Sequence, residues 1–152
     1  MEFPPIVLEG FEQREEALAV IKRYIHHITP VMFYRTDDSR HSHRVLAHLE
    51  AALPDILSIH PTFDVGFART LARVHDDGEI LTGDPQLYDK ERMTDAEKKE
   101  LETMELRAIE QLAVRFPSTA NGYSYRALLL TSKHKDRIEA QFVSLADKFD
   151  GF

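Results

Sequence analysis

A helix drawn at 100° per residue from Val65 places Val65, Ala68, Leu71 and Ala72 on one face and continues that face with His75, Asp76 and Glu79. The polar trio therefore points inward. Burying an imidazole or a carboxylate among aliphatic side chains is costly unless the group is paired or bound to a metal. One bound metal ion is the simplest common explanation for three such groups on one apolar stripe. Thr82-Gly83-Asp84 closes the segment, with Gly83 suited to ending the helix and the residues from Asp84 to Arg92 expected as a loop near the metal.

Composition limits how such a metal can be held. The 152 residues, 43% apolar, suit a single globular domain spanning 1–152. With no cysteine, thiolate ligation and disulfides are excluded, so the ligands must be His, Asp or Glu. That chemistry suits a cytoplasmic protein, and neither a signal segment nor a run long enough to cross a bilayer is expected. A formal charge of −7 argues against tracking along nucleic acid, but not against a small phosphorylated substrate bound through a cation and a few arginines.

In chain order, residues 1–10 read as a surface arm, and a first helix is expected from Phe11 to about Ile28. It buries Leu18, Ile21, Ile25 and Ile28 and leaves Arg14 and its charged neighbours on the wet side. His26 and His27 fall in its last turn, as caps. An aromatic-rich loop, 31–40, leads to a helix from Arg40 to Leu53. There His41 and Ser42 share a face with Val45, Leu49 and Ala52, while His43 points the opposite way and His48 lies at the edge. Pro54 and Pro61 are expected to break the helices, and Thr62 or Asp64 to cap the next one. Thr94 to Glu97 forms a capping box opening a helix that runs to about Phe116, with a solvated charged face. A turn at 118–122, a short helix at 123–132 and a last helix at 135–150 complete the chain. The last helix carries two stripes. One is large (Ile138, Phe142, Leu145, Phe149); the other is mostly small (Ala140, Val143, Ser144) and includes Asp147.

The adjacent His75-Asp76, Glu79 one turn on and Thr82-Gly83-Asp84 together resemble the signature of the HD-domain metal-dependent phosphohydrolases, and most closely their 5'-deoxynucleotidase branch. Arg35-Thr36 leads into Arg40-His41-Ser42, where the family has Glu-His-Ser, so the family's Glu is replaced by Arg40. Leu145-Ala146-Asp147-Lys148-Phe149-Asp150 resembles the segment carrying the superfamily's final aspartate, its first Asp being the ligand.

The resemblance implies an all-α, compact helical HD-domain bundle of about five to seven helices around a metal site. His41, His75, Asp76 and Asp147 are the implied ligands of one divalent transition metal ion, Mn2+, Co2+, Ni2+, Fe2+ or Zn2+. Only His134 lies between the dyad and the last aspartate, which favours a single ion. The implied activity is metal-dependent phosphohydrolysis, removing phosphate from a (deoxy)nucleoside 5'-monophosphate by metal-activated water. Glu79 is then the carboxylate that orients water and moves its proton, and Asp84 assists the leaving group or holds the sugar. Arg35, Arg40 and His43 are the candidate substrate contacts, and a homodimer is left open. The alternatives are an HD phosphohydrolase of nucleoside triphosphates or guanosine polyphosphates, and a non-catalytic metal-containing nucleotide-binding module.

Overall fold

The computed structural model describes residues 3, 6, 8–21, 37–82 and 91–150. Its elements in chain order are α1 (Glu12–Ala19), α2 (Asp38–Ile59), α3 (Val65–Val74), α4 (Glu79–Thr82), α5 (Asp95–Arg115), the strands β1 (Thr119–Ala120) and β2 (Tyr123–Ser124), α6 (Tyr125–His134) and α7 (Ile138–Asp150). The all-helical class is as expected. His26, His27, Arg35, Gly83 and Asp84 lie outside the described residues.

Helix starts follow local chemistry. The side chains of Asp37, Asp64, Thr94 and Ser124 accept from the backbone amides of Arg40, Phe67, Glu97 and Ala127, at 2.8, 3.0, 3.2 and 3.2 Å. Each cap satisfies an amide that has no partner within its own helix. Between β1 and β2, Asn121 and Gly122 both take positive φ, 55° and 84°. That is the geometry of a two-residue hairpin link. From β2 the Tyr123 hydroxyl reaches Asp64 Oδ1 at 3.0 Å, across Gly66, where a Cβ would sit 2.6 Å from the hydroxyl oxygen. A side chain there would displace the Tyr123 hydroxyl from this contact.

Three helices form the centre: α2 and α7 pack on each other and both pack on α3. Val45, Leu49 and Leu53 of α2 meet Phe67, Ala68, Leu71 and Ala72 of α3 and Ala140, Val143 and Ala146 of α7. The alanines let the backbones approach closely. Leu145 and Phe149 of α7 stay 59% and 66% exposed, so the small-residue stripe is the one turned to the core. An aromatic cluster of Phe11, Phe116 and Tyr125 closes one side, with ring centroids 4.9–6.2 Å apart.

Three local expectations give way to tertiary packing. Pro54 does not end its helix; α2 continues to Ile59. Leu53 and Ile56 are buried on either side of it while Pro54 is exposed, so the apolar stripe holds the axis despite the lost backbone bond. Arg14, expected on the wet side of α1, is completely buried. And α3 stops at Val74 rather than running on to Glu79. Residues 75–78 form a turn in which the amides of Asp77, Glu79 and Ile80 bond the carbonyls three residues back. The turn is tied down from outside by Asp77, whose carboxylate accepts from Arg14 of α1 and from Tyr125 of α6.

Candidate metal centre

His41, on the first turns of α2, is fully buried and faces α3 and α7 as its helical position requires. His75 and Asp76 open the turn after α3, and Asp147 comes from α7. Each of these four residues offers one ligand atom, and the four atoms all lie within 4.8 Å of one another. His41 Nε2 is 2.7 Å from Asp147 Oδ1 and 3.4 Å from Asp76 Oδ2. His75 Nε2 is 3.2 Å from Asp76 Oδ2 and 3.7 Å from Asp147 Oδ1. Residues spread over more than a hundred positions of the chain meet at one point.

The donor set fits a divalent ion on two grounds. In both histidines Nδ1 is engaged away from the cluster, His75 with the Ala72 carbonyl at 2.8 Å and His41 with Asp150 Oδ2 at 2.7 Å. Those acceptors leave Nε2 as the inward nitrogen of each ring, the arrangement that ligating imidazoles adopt. The field inside is also suited to a cation. Burial alone would drive the proton off His75, but Asp76 and Asp147 overcome it and hold that imidazole's pKa well above its ordinary value. Asp147 in turn is held far below the carboxylate range by its hydrogen bonds to His41 and His75, against the opposing effect of burial. Two imidazole nitrogens and two carboxylates, with no thiolate, suit a borderline divalent ion and leave coordination positions open on a six-coordinate one. A bound ion must displace protons from this cluster, so uptake is favoured as pH rises.

Three of the other sequence candidates lie among the described residues. Glu79 opens α4, four residues past His75, and is half-buried. His43 stands outside the four, on the far side of α2, with Nε2 3.9 Å from Glu15. Arg40 is exposed on the first turn of α2, 3.5 Å from Asp37. Arg35 and Asp84 lie outside the described residues. Two features escape the local pattern. One is Asp150, three residues past Asp147 and therefore on the same side of α7; that spacing was available as a signal. The other is the buried Arg14, Asp77 and Tyr125 set behind the dyad, for which no local signal exists. Glu15 joins it by accepting from Arg14 at 3.1 Å and from Ser39 at 2.9 Å, and it pairs with Arg73.

A helical domain that gathers two histidines and two aspartates from three separate segments around one point has the architecture of the HD-domain superfamily. Within it, the chain belongs to the YfbR-like 5'-deoxynucleotidase family, whose model, described as 5'-deoxynucleotidase YfbR-like, matches residues 16–152. Two solved structures share the fold. A conserved hypothetical protein from Pyrococcus furiosus is 23% identical with a TM-score of 0.65, covering 91% of this chain and 76% of its own. The PH0347 protein from Pyrococcus horikoshii OT3 is 23% identical with a TM-score of 0.64, covering 91% of this chain and 70% of its own. No curated protein matches the chain. Family membership supports a phosphohydrolase acting on nucleotides, and the His and Asp group is its candidate metal site.

Proposed function

We propose that this protein is a metal-dependent phosphohydrolase that releases inorganic phosphate from a 2'-deoxynucleoside 5'-monophosphate, with His41, His75, Asp76 and Asp147 as the ligands of one divalent ion. The observation that carries the reading is the convergence of those four ligand atoms within 4.8 Å in a member of the YfbR-like family. A divalent ion held there supplies Lewis acidity toward phosphate oxygens and lowers the pKa of water. The chain's own residues do the rest. Glu79 orients the attacking water and accepts its proton, and its place at the start of α4 keeps it one turn from His75. Asp84 assists the departing alkoxide or holds the sugar. Arg35, Arg40 and His43 are the side chains assigned to the substrate, a guanidinium being able to clamp a phosphate through two parallel hydrogen bonds.

The test is a turnover screen of the protein with added Mn2+, Co2+, Ni2+, Fe2+ or Zn2+ against nucleoside mono-, di- and triphosphates. Phosphate release from a deoxynucleoside 5'-monophosphate is the expected result. Pyrophosphate or triphosphate as product moves the protein to another phosphohydrolase branch, and binding without turnover marks a nucleotide-binding module.

A further inference from the structure

Asp150 ends α7, one turn beyond Asp147, and both carboxylates reach the same imidazole from opposite sides. Asp147 Oδ1 is 2.7 Å from His41 Nε2, while Asp150 Oδ2 is 2.7 Å from His41 Nδ1. The second contact is well shielded, with the His41 side chain 0% and that of Asp150 7% exposed. The other oxygen of Asp150 accepts from Arg44 Nε at 2.8 Å and lies 3.4 Å from His48 Nε2. His41, Arg44 and His48 are spaced three and four apart on α2, so they form one row along its surface. Asp150 therefore contacts all three residues of that row, beside Asp147 on His41 and the Phe149 ring on His48.

The two imidazoles are held differently. His75 donates to a backbone carbonyl three residues back, a bond its own helix end provides whatever the side chains nearby. His41 depends on a side chain contributed from 109 residues away. A carboxylate acceptor makes a charge-assisted bond, stronger than one to a neutral carbonyl, and it makes the ring a better donor at its opposite nitrogen.

We propose that Asp150 is a positioning residue for His41: it holds the Nδ1 proton, fixes the ring plane and presents Nε2 to the ion shared with Asp147. This rests on the metal reading above and deepens it by naming the residue that sets affinity at the α2 side of the site. Asp150 touches neither substrate nor the reacting atoms.

The experiment is calorimetric titration of the metal-free full chain with Zn2+, together with proton and nitrogen NMR of the histidine rings in the Zn2+-loaded protein. Asp150→Ala is expected to bind Zn2+ about 10- to 100-fold more weakly than wild type. Asp150→Asn, whose carbonyl still accepts from Nδ1 without a charge, is expected to fall between them, and it keeps the test open should the alanine variant fail to fold. In the Asn variant, at a melting temperature equal to that of wild type, the His41 Nδ1 proton should move upfield while that of His75 stays in place; a drop in melting temperature would mark looser docking of α7 instead. Equal Zn2+ affinity in wild type and variants, or unchanged His41 resonances, overturns the proposal alone. A wild type that takes up no Zn2+ overturns the metal reading and this proposal with it.

Discussion

Arg14 Nε lies 2.7 Å from both carboxylate oxygens of Asp77, 63 residues away, and neither side chain has any exposed surface. Tyr125 donates to the same carboxylate at 2.6 Å, and Arg14 also donates to the carbonyl of Arg73. Burial pushes the Asp77 carboxyl up to about 6, and the guanidinium, the hydroxyl and the nearby His75 keep it from rising further. The set joins α1 and α6 to the turn that carries His75 and Asp76. Removing one partner leaves a buried charge uncompensated, so Asp77→Ala or Arg14→Ala should each destabilise the fold by about 3–5 kcal/mol. Tyr125→Phe should cost about 1–3 kcal/mol, the usual effect of leaving a buried polar group one bond short. The double variant Arg14→Met, Asp77→Leu should be much less damaging than the sum of the single changes. Urea unfolding checks all four, and an additive double variant would show that the pair does not interact as described.

The metal reading separates two histidines two residues apart on one helix. His41 is buried against the cluster, whereas the His43 side chain is 55% exposed and turned to Glu15. His41→Ala, His75→Ala, Asp76→Ala and Asp147→Ala should all lose a divalent ion that wild type retains. His43→Ala should retain it. Elemental analysis after desalting measures this directly. Added ion should also raise the melting temperature of wild type and His43→Ala alone, since a ligand stabilises the state that binds it.

Glu79→Gln tests the proton-transfer role without touching a ligand. Gln is nearly isosteric, so ion content and melting temperature should be those of wild type. Turnover of the deoxynucleoside monophosphate should fall by about 10²–10⁴, the usual size of a general acid-base contribution. A fall in ion content to match the lost activity would instead make Glu79 a ligand or a support for one.

Glu15 gives the stability a pH dependence of known sign. Burial tends to raise its pKa, but the hydrogen bond from Ser39 and the charges of Arg14 and Arg73 outweigh it and hold the carboxyl below its ordinary value. A group with a depressed folded-state pKa contributes stability that is fully present above its unfolded value, near 4.3, and is lost as pH falls through the folded value. Glu15→Gln should therefore lower stability at neutral pH and flatten the loss below about pH 4. Unfolding midpoints from pH 7 down to 3 measure it, and parallel curves for the two proteins would count against the assignment.

Much of the site was legible in the chain itself because its cues are local. The apolar stripe ending in His75 and Asp76, the 200° between His41 and His43, and the small-residue stripe beside Asp147 all follow from 3.6-residue periodicity. The capping residues Asp64 and Thr94 follow from the amides that a helix start leaves unpaired. No such local rule says that Arg14 is buried, because burial of a charge is tolerated only where a partner waits, and its partner is fixed by how α1, α3 and α6 meet. The same contact decides that α3 ends at Val74, overriding a helical pattern that continues to Glu79. Pro54 stays within α2 because the stripe on both sides of it is already packed. Asp150 bonds His41 only once α7 lies against α2. Periodicity determines which face a residue shares; what stands opposite that face is decided by tertiary packing, since the free energy of burying a charge or orienting a ring belongs to the pair and not to either residue.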